Sequence, residues 1–395
     1  MSRLWDKGKP LDQAVLEYTA GEDFALDERL VSYDIQASLA HAQSLHTAGL
    51  LSAADLATLT SALDEVAAAH EKGAWQITLQ DEDGQTALEA QLTERVGPIG
   101  GRIHLGRSRN DQVLTALRLY LKDANRDLTR GAEAVATALD RLAARHPKLV
   151  LPGYTHMQQA MPSSVDLWAG GFASEFRDNT SRLAQAIGRA DKNPLGSAAG
   201  YGTPGLPLNR DDTKQRLGFA VNHEPVTAVQ LSRGKAEAQL LFEIALMMTD
   251  AGRLAADLLL FYTQEFAFIT LPDHFTTGSS IMPQKRNPDV FELIRGRSSS
   301  AHACLSEVLG IIAKLPSGYQ RDLQLIKVPL FRGIDLALQT LQILPMALDG
   351  LQFRPENLHL DPAIHAAERA NRLVVEKGIP FRDAYRQVAA DLLKK

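Results

Sequence analysis

Cysteine is almost absent from this 395-residue chain: Cys304 stands alone, so neither an internal disulfide nor a CxxC metal or redox pair can form. That suits a reducing compartment. Excess positive charge is missing too. Forty-two Lys and Arg stand against 47 Asp and Glu, a formal charge of -5, which excludes a chain-wide nucleic-acid footprint and leaves any anion site local. Long apolar runs are missing: the most apolar region is broken by Glu243, Asp250, Arg253 and Asp257, so no membrane span is expected. The opening residues Met1 to Gly8 lack the apolar stretch of a signal peptide, and a cytoplasmic location is expected. HExxH, GxxxxGKS/T and GxSxG do not occur. Gly200-Tyr-Gly202-Thr-Pro-Gly205 spells GxGxxG, but it follows a helical stretch and holds Pro204, so it does not read as a dinucleotide turn. No metal and no cofactor are expected.

What is present is helical periodicity. Leu114, Leu117, Leu121, Ala124, Leu128, Ala132, Val135, Leu139 and Leu142 step by three or four, which places them along one stripe of a long helix. Leu240, Ile244, Met247, Ala251, Leu254, Leu258 and Phe261 repeat the pattern. A third helix is expected from Asn287-Pro288-Asp289, with Asn as cap, Pro in the first turn and Asp facing the helix dipole, to about Leu315. Clear strand alternation is scarce, so the fold class is all-α with a long helical bundle. Gly- and Pro-rich loops at 97–111, 146–162, 193–212, 271–288 and 316–329 separate these helices and are where chemistry is expected. The chain is long enough for two or three domains, and the breaks near Gly97 to Gly106 and Phe353 to Pro362 suggest three: 1–108, 109–354 and 355–395.

Three segments carry candidate chemistry. Gly278-Ser279-Ser280-Ile-Met-Pro-Gln-Lys285-Arg286-Asn287-Pro-Asp289 sets two hydroxyls and two cations before a helix N-terminus, a local anion trap in which a serine hydroxyl would ionise more cheaply. An ordinary capped loop has the same composition. Thr155-His156, between Pro152 and Pro162, puts a group that titrates near neutrality beside a hydroxyl, and a structural turn histidine would look alike. Arg102, His104, Arg107 and Arg109 crowd together without interleaved aromatics, which suits either dicarboxylate binding or a salt-bridged junction.

Taken together, Gly106-Arg-Ser-Arg-Asn-Asp111, Gly153-Tyr-Thr-His156 and the Gly278 to Asp289 segment closely resemble the fumarase/aspartase superfamily and, within it, the argininosuccinate lyase family. Asp81-Glu-Asp83, Tyr319-Gln-Arg-Asp-Leu-Gln324 and Gly378-Ile-Pro-Phe-Arg-Asp383 extend the match over nearly the whole chain. The resemblance implies a three-domain helical subunit, a homotetramer whose active sites are shared between subunits, and a cofactor-free β-elimination that releases fumarate from a small-molecule substrate, argininosuccinate. No nucleic-acid or membrane partner is implied. By the same resemblance Ser279 is the base, Lys285 and Asn287 hold the developing anion, and His156, paired with Glu292, protonates the leaving nitrogen. Asp27, Asp83, Arg109, Asn110, Thr155, Asn287, Tyr319, Gln324 and Lys327 match substrate-contacting positions.

The chain departs from the family pattern at several points. Gln85 stands where a His is usual, Leu105 where a Thr is usual, Ser232-Arg-Gly234 where Ser-Glu-Arg is usual, and Leu325-Ile326 where two acids precede the lysine. The chain also ends at Lys395, sooner than the usual C-terminal domain. Gln85 can hydrogen-bond but cannot become cationic. Adenylosuccinate lyase is the competing branch, disfavoured by Gln284 and by Arg107 to Asp111. A catalytically silent, crystallin-like structural protein is the alternative of another class.

Overall fold

The computed structural model describes residues 12–393. The expectations drawn from Met1 to Gly8, and the outer ends of the first and last expected domains, lie outside those residues. The principal helices and strands are α1 Val31–Thr47, α2 Ala53–Glu71, α3 Gly84–Val96, α4 Arg109–Arg145, β1 Val150–Thr155, β2 Gln158–Ser164, α5 Val165–Ala186, α6 Lys235–Tyr262, α7 Asp289–Ile312, α8 Lys327–Gly350, α9 Ala366–Lys377 and α10 Phe381–Leu392. The fold is all-α, as expected. Among the described residues, strand structure is limited to the β1–β2 hairpin and two pairs of two-residue strands.

The two long helices expected from periodicity form where their stripes lie, and the third forms at the start signal Asn287-Pro288-Asp289. In α4, Leu114, Leu117, Leu128, Ala132, Val135, Leu139 and Leu142 are buried to 1% exposure or less, the result of one apolar residue every third or fourth position. Its start is a reciprocal cap: the Ser108 N–H donates to Asp111 Oδ1 at 2.9 Å, and the Asn110 N–H donates to Ser108 Oγ at 3.3 Å. In α6 the whole predicted series is buried. α7 begins at Asp289 as expected, but Asn287 does not cap it. The Asn287 amide donates instead to Thr277 Oγ1 and to the Gly278 carbonyl, both at 3.3 Å, because Asn287 is bridged across the loop to Thr277. α8 overlaps the expected loop at 316–329. Pro329 lies in its first turn, where a missing N–H is tolerated.

The chain divides into two compact units. Unit 1 holds the chain up to Leu128 with Arg182–Ala245 and Ser300–Leu336, and unit 2 holds Thr129–Ser181, Leu246–Ser299 and the chain from Ala337 onward. The core of unit 1 is built by α1, α2 and α3, with Ile35, Leu45, Leu59, Leu63, Leu88 and Leu92 buried against Ile103. In unit 2 an aromatic cluster forms around Trp168, whose ring lies 5.4 Å from Phe261 and 6.0 Å from Phe353 and whose indole N–H donates to Asp257 at 2.9 Å. α9 and α10 pack through Ala370, Ala384 and Val388.

The segment 146–162, expected to be a loop, is mostly hairpin. β1 and β2 pair antiparallel from Val150 opposite Ser164 to Thr155 opposite Gln158, with a bulge at Gly153/Tyr154. Pro152 faces Pro162 across it. The turn is His156-Met157, with φ of 53° and 61°. Two left-handed residues in succession suit the twist of a two-residue hairpin, yet neither is glycine or asparagine.

Candidate active site

Unit 1 contains a cavity of about 170 Å³ whose lining includes Asp27, Asp83, Arg109, Asn110, Tyr319, Gln324 and Lys327. Seven of the expected substrate-contacting residues therefore meet in one place. Its floor is a buried ion triad. Lys327 Nζ lies 2.6 Å from Asp27 Oδ1 and 3.0 Å from Asp23 Oδ1, and all three residues are at most 6% exposed. The helical turn Asp23–Asp27 places the two acids four residues apart on one face. Burial raises Asp23 to about 6 despite the neighbouring ammonium. Burial alone would lower Lys327, but the two carboxylates outweigh it and hold the ammonium above the usual lysine range. Asp27 Oδ2 also accepts the Gly84 N–H at 3.0 Å, which fixes the start of α3.

Asp83 caps α3 through Thr86 N at 2.8 Å and turns its other oxygen to Arg109, 3.1 Å away. Gln324, in the 3-10 turn Arg321–Gln324, donates to the Thr19 carbonyl at 3.4 Å. Asp23 and Arg233 also line the cavity and were not foreseen. The i, i+4 spacing of Asp23 and Asp27 was a usable signal. Arg233, which comes from a distant part of the chain, showed only as a departure from the family pattern. It is 5% exposed, stacks over the Tyr319 ring at 5.1 Å, and leaves Nε and Nη1 without hydrogen-bond partners. Gly234 beside it has φ of 80°, and a Cβ there would collide with Ile312. A family-type arginine therefore does not fit at 234, and position 233 carries the charge.

The Arg102 to Arg109 cluster disperses. Arg102 pairs with Asp55, His104 lies 3.4 Å from Glu89, and Arg107 points inward to Ser38 Oγ at 2.8 Å. Of the four only Arg109 reaches the cavity; the salt-bridged reading holds for Arg102, whereas Arg107 is held by a hydroxyl and His104 lies beside Glu89. Gln85 is buried and donates to Asp34 at 3.2 Å. Leu105 is exposed, and its carbonyl lies 2.8 Å from His41 Nε2.

In unit 2 the expected catalytic residues fall into two groups. Thr155 and His156 occupy the exposed hairpin tip. Ser279, Lys285, Asn287 and Glu292 lie on the 277–288 loop and the first turn of α7. The Ser279 hydroxyl oxygen accepts the N–H of Ile281 at 3.3 Å and of Met282 at 3.2 Å. Two donors aimed at that oxygen favour its charged form. Lys285, Asn287 and Glu292 line a cavity of about 660 Å³ with Arg286 and Arg295. His156 and Glu292 form no hydrogen bond or ion pair among the described residues. Ser279 and His156 are on different elements. Within unit 2 the catalytic set is not assembled.

No group of His, Cys, Asp or Glu among the described residues has the geometry of a metal site. No described helix is long and apolar enough to cross a membrane.

The sequence profile of the lyase family matches residues 10–302. The argininosuccinate lyase of Sorangium cellulosum is 48% identical over 99% of this chain and 90% of its own length. That of Xylella fastidiosa is 45% identical over 98% of this chain and 87% of its own length. Among solved structures, EDDS lyase in complex with formate superposes with a TM-score of 0.82 at 26% identity, covering 98% of this chain and 77% of that one. A class II fumarase from Schistosoma mansoni has the same fold, with a TM-score of 0.80 at 16% identity, covering 98% of this chain and 91% of its own. The chain belongs to the lyase family and, within it, to the argininosuccinate lyases.

Proposed function

We propose that the protein cleaves argininosuccinate to arginine and fumarate by β-elimination, as a cytoplasmic homotetramer whose active sites draw residues from several subunits. The expected division into regions 1–108, 109–354 and 355–395 belongs to the same proposal. The observation that carries the chemistry is the pair of N–H groups converging on the Ser279 oxygen, in a loop that also holds Lys285. Ser279 removes the proton from the carbon between the leaving nitrogen's carbon and the far carboxylate of the succinyl moiety. The C–H electron pair moves into that carboxylate, where Lys285 and Asn287 hold it. It then forms the C=C bond as the C–N bond breaks, and the guanidino nitrogen leaves with a proton supplied through His156. Glu292 orients His156 when the subunits assemble. The proton next to a carboxylate is weakly acidic, so positioned charge at the developing dianion supplies most of the rate, and proton transfer adds about 10²- to 10⁴-fold.

The unit 1 cavity suits the other end of the substrate. Its ionisable lining is four acids (Asp23, Asp27, Glu82, Asp83) and four cations (Arg109, Arg233, Arg321, Lys327), a balance that matches a zwitterionic amino-acid end. A nucleotide phosphate would require a surplus of cations there, and this favours argininosuccinate over adenylosuccinate. Asn110, Tyr319 and Gln324 supply neutral hydrogen bonds there, and in the proposed assembly Thr155 adds one from the hairpin tip of another subunit. The test is the fumarate absorbance that appears when purified protein meets argininosuccinate. Release from adenylosuccinate alone would move the assignment to the other branch. No release from either would leave the structural-protein reading.

A further inference from the structure

Unit 1 contains a second cavity, of about 290 Å³, that the elimination does not use. Its polar lining is Arg189, Lys192, His223, Ser232 and Lys235; the remaining lining is apolar, and no carboxylate faces it. Nearby cations are neutralised. Lys122 lies 2.6 Å from Asp191, and Arg210 pairs with Glu224. Among the described residues, none of Arg189, Lys192 and Lys235 has an ion pair with a carboxylate. Like charges held together without counter-charge repel one another, and an anion relieves that repulsion.

Three further features lie at the same place. His223 is only 8% exposed, and its Nδ1 has no hydrogen-bond partner, so a buried polar atom at the cavity wall is left unsatisfied. Ser232 is fixed by Arg118, whose Nη2 donates to its Oγ at 2.6 Å while Nη1 donates to the Lys192 carbonyl at 2.6 Å. This ties two of the lining residues to one buried guanidinium. Lys235 begins the 28-residue α6, whose N-terminal dipole adds to the positive field. Burial, with smaller contributions from the charges of Arg118, Lys192 and Arg210, holds His223 down to about 4, so the ring is neutral at pH 7 and one nitrogen remains a donor.

We infer that this cavity binds a small multivalent oxyanion, a phosphate or a dicarboxylate, at a site separate from the substrate cavity. No Phe, Tyr or Trp lines it, so it lacks the broad rings on which nucleic-acid bases stack. Arg189 and Lys235 are exposed and Lys192 is half-buried, so the cavity opens to solvent and a small anion can enter it directly.

Isothermal titration of the full-length oligomer with inorganic phosphate, and separately with succinate, tests the site. The companion proteins are Lys192→Ala, Lys235→Ala and their double variant, with Lys72→Ala as a control that removes an exposed charge elsewhere. Saturable binding of either anion is expected, weakened at least about tenfold by the double variant and unchanged by Lys72→Ala. Binding of phosphate alone or of succinate alone identifies the anion. Turnover of argininosuccinate, measured alongside, should persist in the double variant, so failure of the activity assignment and failure of this site are read separately. The inference is overturned if neither anion binds saturably, or if the double variant binds as well as the parent. It is also overturned if Lys72→Ala weakens binding equally, or if the double variant changes only the oligomeric state, which would mean that the cations face another subunit.

Discussion

The cavity of unit 1 is built from buried, mutually paired groups, whereas the residues proposed for catalysis in unit 2 lie on an exposed hairpin tip and an exposed loop. In unit 1, Lys327, Asp23 and Asp27 are buried and mutually paired, Asp83 is fixed as a helix cap, and Arg109 is set by Asp83. In unit 2, His156 is held by its turn and Ser279 by two N–H groups, but neither touches the other or Glu292. Binding demands a fixed pattern of charges, which a buried network supplies. Proton transfer demands groups that meet at the substrate, and under the proposed assembly unit 2 would offer these to a neighbouring subunit.

The largest expected effect breaks the chemistry and leaves the binding half alone. Ser279→Ala should reduce turnover at least about 10²-fold and up to about 10⁴-fold, while the melting temperature and the affinity for argininosuccinate stay near those of the parent. Turnover within a few fold of the parent would remove Ser279 from its role. The converse break is Lys327→Met, which leaves two buried carboxylates without their cation. Chemical denaturation should show a loss of about 3–5 kcal/mol, and an unchanged midpoint would mean that the triad is not what holds the floor of unit 1.

A subtler distinction comes from Asp23, raised to about 6 by burial. An acid with a raised value takes up its proton earlier than usual as pH falls, so the cavity loses one negative charge below about 6. KM for argininosuccinate should therefore rise as pH drops through 6, in addition to any change in kcat, and Asp23→Asn should remove that inflection from the KM profile. An inflection that persists in Asp23→Asn would assign it to another group. The smallest effect is expected at an exposed ion pair in unit 2. Arg372 and Glu368, 2.7 Å apart on α9, are both more than half exposed. Arg372→Ala should leave the denaturation midpoint indistinguishable from that of the parent, far below the effect of Lys327→Met.

Much of the fold was legible in the sequence because apolar residues spaced by three or four leave a stripe that only a helix can bury; α4 and α6 appeared where that stripe ran, and α7 began at the Asp289 marked by the Asn-Pro-Asp run. The hairpin was hidden. Pro152, Gly153 and Pro162 interrupt strand alternation, and its turn uses His156-Met157 in place of the Asn-Gly that signals such a turn. Asn287 looked like a cap by position, but the Thr277 bridge, formed across ten residues, took its side chain. The cations near Arg107 looked like one cluster because they are neighbours in the chain. Asp55, Ser38 and Glu89, which separate them, are distant in sequence, so the dispersal was not readable. Arg233 was visible only as a departure, and its position over Tyr319 depends on a contact spanning 86 residues, the separation of positions 233 and 319.

The central claim is that the unit 1 cavity of one subunit is served by unit 2 residues of others. Ser279→Ala and Arg109→Ala proteins, each inactive alone, can be dissociated together and reassembled into hybrids. If sites are shared, some hybrid sites contain neither substitution, and fumarate release from argininosuccinate should reappear in the mixture. Reassembled hybrids, confirmed as mixed by differential tagging, that stay as inactive as either parent would contradict the account.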